Sequence, residues 1–277
     1  MRRGGHGVSI ADVFAPDGEP HPTLSRDPEA NTASIAARAL WDAHGDGSGI
    51  ELSIHKGVPL QSGMGSSAAS AVAGAVAVNA LLEEPLPTLD LLPFALEGER
   101  FASGGIHADN VAPSLLGGMV LCPPALLPRA LPLRTPAGVS AVLLHPELTV
   151  HTAEARKALA DSVDRQQWID QQGYLAGFIT ACVYGDLDLI RATLKDIVIE
   201  PQRAASVACF PAVRDAALDA GALGVSLSGS GPSVFALVAS GLAGEVAEAM
   251  QQACTGQGID CQSWISPMTA PGARLEG

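Results

Sequence analysis

The chain has 277 residues, 47% of them apolar and only 16% charged, enough to bury one large core or two modest ones and unlike the composition of a disordered chain. Sixteen basic against 29 acidic residues give a net charge of −13, which excludes a global electrostatic footprint for nucleic acid or an anionic membrane. Any anion held here needs backbone N–H groups, a metal and a few placed cations, and lysine occurs only at Lys56, Lys157 and Lys195.

Residues 8–14 alternate as a strand, followed by a Pro- and Asp-rich loop to Ala30. Asn31-Thr32 predicts the cap of a helix running through Trp41, with Ile35, Ala39 and Leu40 inward. Gly45–Gly49 breaks it, and Ile50–His55 reads as a strand. The loop PLQSGMGSS leads into a helix of small residues from Ala68 to about Leu82, and a second helix runs from about Thr88 to Ala102. Gly104-Gly105 ends that helix, and HADNVAPSLLGG follows as a loop with a helical turn. Met119–Cys122 reads as a strand. The proline-rich stretch 123–132 is the expected boundary between an N-terminal lobe (1–125) and a C-terminal lobe (126–277). Beyond it come a strand at Val139–His145, helices at 153–161, 165–184, 186–196 and 211–220, and a hairpin-like pair around SGSGP. A helix at 242–255 and a strand at 259–265 close the chain, an α+β pattern.

Cys122, Cys182, Cys209, Cys254 and Cys261 contain no C-x-x-C pair, which points to buried, reduced thiols rather than a disulfide framework or a zinc site. No apolar stretch follows the first residues, and the longest apolar run, Ala68–Leu82, is too short to span a bilayer. A soluble, cytoplasmic protein is expected.

The segment Pro59–Ala69 carries the chemistry. A strand feeds a loop with Gly63 and Gly65, and the loop opens a helix. Glycines let the backbone approach a ligand without an intervening Cβ, and the first amides of a helix lack internal partners and carry positive potential. Together they suit a di- or triphosphate, with Ser66 and Ser67 supplying hydroxyls to phosphate oxygens or to Mg²⁺. No G-K-[ST] follows, so this is not a Walker A loop, and no G-x-G-x-x-G spacing is present. The plain alternative is a Gly/Ser turn whose serines cap the helix. The second cluster, Ser228, Gly229, Ser230 and Gly231, is by itself a turn; with the first it points to a bipartite nucleotide site.

P-x-x-x-G-[LM]-G-S-S-A-A resembles the phosphate-loop motif of the galacto-, homoserine, mevalonate and phosphomevalonate (GHMP) kinase superfamily, and SGSGPSVFAL resembles its C-terminal glycine motif. GGIHADNVAPSLLGGM (104–119), HTAEARKAL (151–159), the stretch 176–203 and TAPGARL (269–275) are similar to homoserine kinases within it. The resemblance runs from about Asn31 to Leu275. The family's opening strand and loop, A-P-A-S-x-A-N-[LM]-G-x-G-F-D-x-L-G, finds no match here, and the N-terminal lobe is expected to be shortened at its start.

The resemblance implies a two-lobed fold, a ribosomal-S5-like N-terminal lobe and a ferredoxin-like C-terminal lobe with ATP at the cleft between them. It also implies phosphorylation of homoserine in threonine biosynthesis. It assigns ATP phosphates to Pro59, Gly63, Met64, Gly65, Ser66, Ser67, Ala68 and Ala69, and Mg²⁺ to Glu99 with Ser67 or Ser66. His107, Asp109 and Asn110 correspond to the substrate pocket, and Arg156 and Arg203 to the arginines for the substrate carboxylate. Thr152 orients the reacting groups, and Asp109 or His107 stands nearest to a catalytic base, although stabilisation of the transferred group needs none. Plainer roles exist for each: Glu99 as a solvated residue paired with Arg100, Asp109 or Asn110 as a helix cap, Arg156 paired with Glu154, Arg203 as a surface residue. Lys56 reads as a solvated strand-end lysine. Another GHMP-type small-molecule kinase and a non-catalytic nucleotide or metabolite binder are the competing functions. The expected partner is a small molecule, with homodimer formation left open.

Overall fold

A computed structural model of the chain describes residues 2–3, 7–105, 107–148 and 159–276. The chain divides into two compact units: Met1–Leu60, Gly65–Leu133 and Pro271–Gly277 form the first, Gln61–Met64 and Arg134–Ala270 the second.

In the first unit, β1 (Arg2–Arg3), β2 (Val8–Phe14) and β3 (Ile50–His55) form a sheet of order β1-β3-β2, with β2 parallel to β3. Helix α1 (Thr32–His44) starts where Asn31 Oδ1 accepts the Ala33 N–H at 3.0 Å. It packs with α2 (Ser66–Asn79) and α3 (Leu92–Ser103). Their contact surfaces are alanine-rich because the backbones come very close. A Cβ on Gly74 of α2 would lie 2.1 Å from the Ala33 carbonyl oxygen, and one on Gly98 of α3 would lie 2.6 Å from that of Thr32. Leu40, Leu92, Val78 and Leu115 fill what remains. Helix α4 (Ala108–Leu116) follows, longer than the single turn expected from sequence, then β4 (Met119–Leu121) and β5 (Leu131–Leu133). That last pair displaces the expected lobe boundary. Leu131–Leu133 lies within the proline-rich stretch yet pairs antiparallel with Met119–Leu121, so the first unit continues to Leu133. Pro132 is tolerated because a two-stranded sheet has only edges.

The second unit holds β6 (Val139–Pro146), α5 (Arg165–Tyr184), α6 (Leu187–Thr193), the short α7 (Glu200–Arg203) that the sequence did not announce, α8 (Phe210–Asp219), β7 (Gly224–Leu227), β8 (Val234–Ala239), α9 (Ala243–Thr255) and β9 (Cys261–Pro267). Its sheet is antiparallel in the order β7-β8-β6-β9, the second-third-first-fourth arrangement of a ferredoxin-like sheet. Val142, Leu144, Phe210, Val234, Val246 and Met250 form its core. The helix expected at 153–161 falls mostly outside the described residues. All five cysteines are free, and Cys182, Cys209 and Cys254 are buried. Burial raises the pKa of each of these three thiols, which makes them weak nucleophiles. Among the described residues no helix is long and apolar enough to cross a membrane.

Candidate functional site

The two glycine motifs, far apart in sequence, meet inside the second unit. Gly63 has φ +76°, and a Cβ there would sit 2.2 Å from the Ser228 carbonyl oxygen and 2.9 Å from that of Gly231. No side chain fits against two backbone oxygens, so glycine is required. Ser228 Oγ donates to the Gly63 carbonyl at 2.9 Å, the Ser233 N–H donates to the Ser62 carbonyl at 3.2 Å, and the Met64 N–H donates to Ser62 Oγ at 3.2 Å. The turn itself closes through the Gly231 N–H to the Ser228 carbonyl at 2.9 Å, with Gly229 and Gly231 both at positive φ. Arg203 at the end of α7 donates from Nη1 to the Gly229 carbonyl at 2.9 Å. It is half-buried and anchors the turn, so the plain surface role does not hold. His145 Nδ1 and Ser233 Oγ lie 3.0 Å apart behind the turn, and burial lowers the histidine pKa against a smaller opposing pull from Glu147.

In the first unit, Gly65 at φ +72° is the N-cap of α2, and no side chain caps that end. The amides of Ser66, Ser67 and Ala68 therefore lack the partner that a capping side chain supplies. The two serines differ. Ser66 is buried and its hydroxyl donates to the Val58 carbonyl at 2.9 Å, so that proton is committed within the protein and the residue's amide is what it presents at the helix start. Ser67 is half-buried and its hydroxyl makes no hydrogen bond among the described residues. Asn110 of α4 approaches the same end, its Oδ1 3.2 Å from where a Gly65 Cβ would be.

Lys56 is the residue that sequence reasoning undervalued. It is 8% exposed, not a solvated strand-end lysine. Nζ donates to the Ser66 carbonyl at 2.9 Å and to Ser70 Oγ at 2.6 Å, tying the end of β3 to the first turn of α2. Burial lowers its pKa to about 8. A cavity of about 220 Å³ opens beside it, walled by Leu52, Ile54, Ala73 and Ala77 among others. The signal available in sequence was a lone lysine three residues before the loop's proline. A larger cavity of about 370 Å³ lies beyond the other end of α2, lined by Trp41, Asp46, Glu83 and Glu84 among others; its carboxylates would repel phosphate.

Glu99 of α3 is 4% exposed, and Arg100 pairs with Glu97 at 3.5 Å, so the solvated Glu99–Arg100 pair is not what forms. A buried carboxylate and an unengaged hydroxyl at Ser67 are hard oxygen donors of the kind Mg²⁺ takes together with phosphate oxygens and water. Among the described residues no group of three or more His, Cys, Asp or Glu could hold a metal by itself. His107 stands at the N-cap of α4 without a side-chain cap bond, and Asp109 and Asn110 lie exposed inside the helix, so neither is its cap. Thr152 and Arg156 lie outside the described residues.

Family models agree with this layout. The GHMP kinases N terminal domain matches residues 31–118 and GHMP kinases C terminal matches residues 178–256. A homoserine kinase of Xylella fastidiosa (strain 9a5c) is 46% identical over 248 residues, 89% of this chain and 76% of that protein. One of Chlorobaculum tepidum is 38% identical over 288 residues, 99% of this chain and 86% of that protein. The crystal structure of homoserine kinase from Cytophaga hutchinsonii superposes with a TM-score of 0.90 at 39% identity, covering 98% of this chain and 86% of that one. With both glycine motifs inside matched family domains and relatives of this identity over most of its length, the chain belongs to the GHMP kinase family.

Proposed function

We propose that the chain transfers the γ-phosphoryl group of ATP to the side-chain hydroxyl of L-homoserine, giving O-phospho-L-homoserine for threonine biosynthesis. The observation that carries this reading is the set of homoserine kinases at 38–46% identity over 89% or more of the chain. Phosphoryl transfer asks a protein mainly for alignment and charge stabilisation. The uncapped start of α2, with the amides of Ser66, Ser67 and Ala68, offers donors to phosphate oxygens without a covalent role. Gly63 seated on the Ser228–Gly231 turn fixes the backbone that leads into it. The apolar cavity beside Lys56 suits a purine base, and the buried ammonium adds positive charge near the helix start. Glu99 and Ser67 would hold Mg²⁺, which when bound neutralises charge on the phosphate oxygens. His107, Asp109 and Asn110 receive the amino-acid end of the substrate. Arg156 and Arg203 receive its carboxylate. Thr152 orients the reacting groups, and Asp109 accepts the hydroxyl proton if a base is used.

The test is ADP release, coupled to an optical readout, with homoserine, mevalonate and galactose offered in turn. Turnover with homoserine alone is expected. Equal turnover with another alcohol, or ATP binding without any turnover, would refute the assignment.

A further inference from the structure

Helix α4 is short and supports itself poorly. Pro113 stands in its interior and has no N–H to give the Asp109 carbonyl, so the ladder is broken between the helix's two ends. A helix of nine residues is marginal even with its ladder intact. Val111, Ala112 and Leu115 bury one face in the core of the first unit, but the carbonyls of the last turn need donors from outside the helix. The Gly117 N–H takes the Pro113 carbonyl at 2.8 Å. The remaining hold comes from far along the chain. The Ala273 N–H donates to the Ser114 carbonyl at 3.0 Å, and Pro271 bridges antiparallel to Gly117. Ala273 packs against the same core, and Pro271–Gly277 belongs to the first unit.

So close an approach requires glycine at residue 272. A Cβ there would stand 2.2 Å from the Leu115 carbonyl oxygen and 2.6 Å from the Gly117 nitrogen. Both are backbone atoms at the end of α4, and they cannot swing away as the tip of a side chain can. A helix end at the surface needs no such contact, since water satisfies its carbonyls; here a distant backbone closes it and fixes the helix along its axis. At its other end, about 13 Å away at 1.5 Å per residue, α4 carries His107 at its N-cap and Asp109 and Asn110 in its first turn. We propose that Pro271–Ala273 is a positioning segment for the substrate: by closing the last turn of α4 it sets where His107, Asp109 and Asn110 meet the amino-acid end of homoserine. This rests on the reading that those three residues receive the substrate. The start of α2 is held separately, by Lys56 on the Ser66 carbonyl and the Ser70 hydroxyl, so the phosphate-binding amides do not depend on the segment.

Steady-state kinetics on the full chain, with homoserine and ATP varied in turn, test the segment. Gly272→Ala pushes it off α4, so the KM for homoserine should rise about tenfold or more while the KM for ATP stays within about twofold. Ala273→Pro, which removes the N–H given to Ser114, should show the same split. Gly241→Ala, where a Cβ meets nothing within 4 Å, should leave both constants unchanged. Hydrogen exchange followed by mass spectrometry should show α4 amides exchanging faster in Gly272→Ala and α1 amides exchanging as in the parent. A merely structural weakening would speed both helices and move both KM values together. A homoserine KM within about twofold of the parent's in both variants, an equal rise in both KM values, or unchanged α4 exchange would each overturn the proposal. A parent chain that turns over no homoserine would overturn the substrate reading and the proposal with it, whereas the other outcomes leave that reading standing.

Discussion

Replacing Gly63 with alanine tests the phosphate-loop argument most sharply, because the structure supplies both the strain and its location. An L-residue at φ +76° costs about 1–2 kcal/mol in backbone strain alone. The new Cβ would also stand 2.2 Å and 2.9 Å from two backbone oxygens, which cannot swing aside as a side-chain end can, and such overpacking costs about 1–3 kcal/mol more. The loop has an escape: it can shift and give up the Ser228–Gly63 hydrogen bond. That moves the amides at the start of α2 away from their ligand positions. Most of the roughly 2–5 kcal/mol should therefore appear as lost nucleotide affinity, on the order of 30-fold or more in Kd, with only a small fall in melting temperature. Gly65→Ala is the internal control. Its φ is +72°, but its Cβ would meet only Asn110 Oδ1 at 3.2 Å, so the cost is about the backbone strain alone. Titration calorimetry with ATP on both variants provides the comparison. A Gly63→Ala protein that binds ATP within twofold of the parent, or no worse than Gly65→Ala, would refute the reasoning.

Glu99→Gln keeps the buried shape and removes the charge; kcat at saturating substrates should fall on the order of 100-fold or more with the melting temperature nearly unchanged, and near-normal turnover would remove Glu99 from the site. Burial holds the Lys56 pKa at about 8 in the folded chain against 10.5 when unfolded; the unfolded chain binds the extra proton between these values, so the lysine's own contribution to stability rises as pH climbs from about 8 to 10.5, against the buried thiols, whose raised pKa values pull the other way above about 9 and are common to parent and variant. In a thermal-melt pH series the slope of the parent should exceed that of Lys56→Met between about 8 and 10.5, and identical slopes would refute the burial argument. Arg203→Ala should raise KM for homoserine about tenfold or more through the lost carboxylate pairing and weaken ATP through the loosened Gly229 turn. An unchanged homoserine KM would confine Arg203 to holding the turn.

Much of this was legible from local pattern. The Asn31 cap, the strand at Ile50–His55 and the helix at 165–184 follow from signals spanning a few residues, and the structure forms them where periodicity and capping put them. The glycine loop opening a helix was legible because Gly63 and Gly65 precede a run of small residues, and both take positive φ. What could not be read is why Gly63 must be glycine. Its constraint comes from carbonyls at Ser228 and Gly231, and spacing within one motif says nothing about a backbone 165 residues away.

The misreadings share a cause, since residue type gives the cost of burial but not the partner that offsets it. A lysine costs several kcal/mol to bury unless donors and charge are satisfied, so Lys56 looked solvated. The Ser66 carbonyl and Ser70 hydroxyl that receive it belong to a helix that the intervening loop must first fold back. The same folding assigns Ser66 to the Val58 carbonyl and leaves its neighbour uncommitted, so two adjacent serines that are equivalent in sequence take opposite roles.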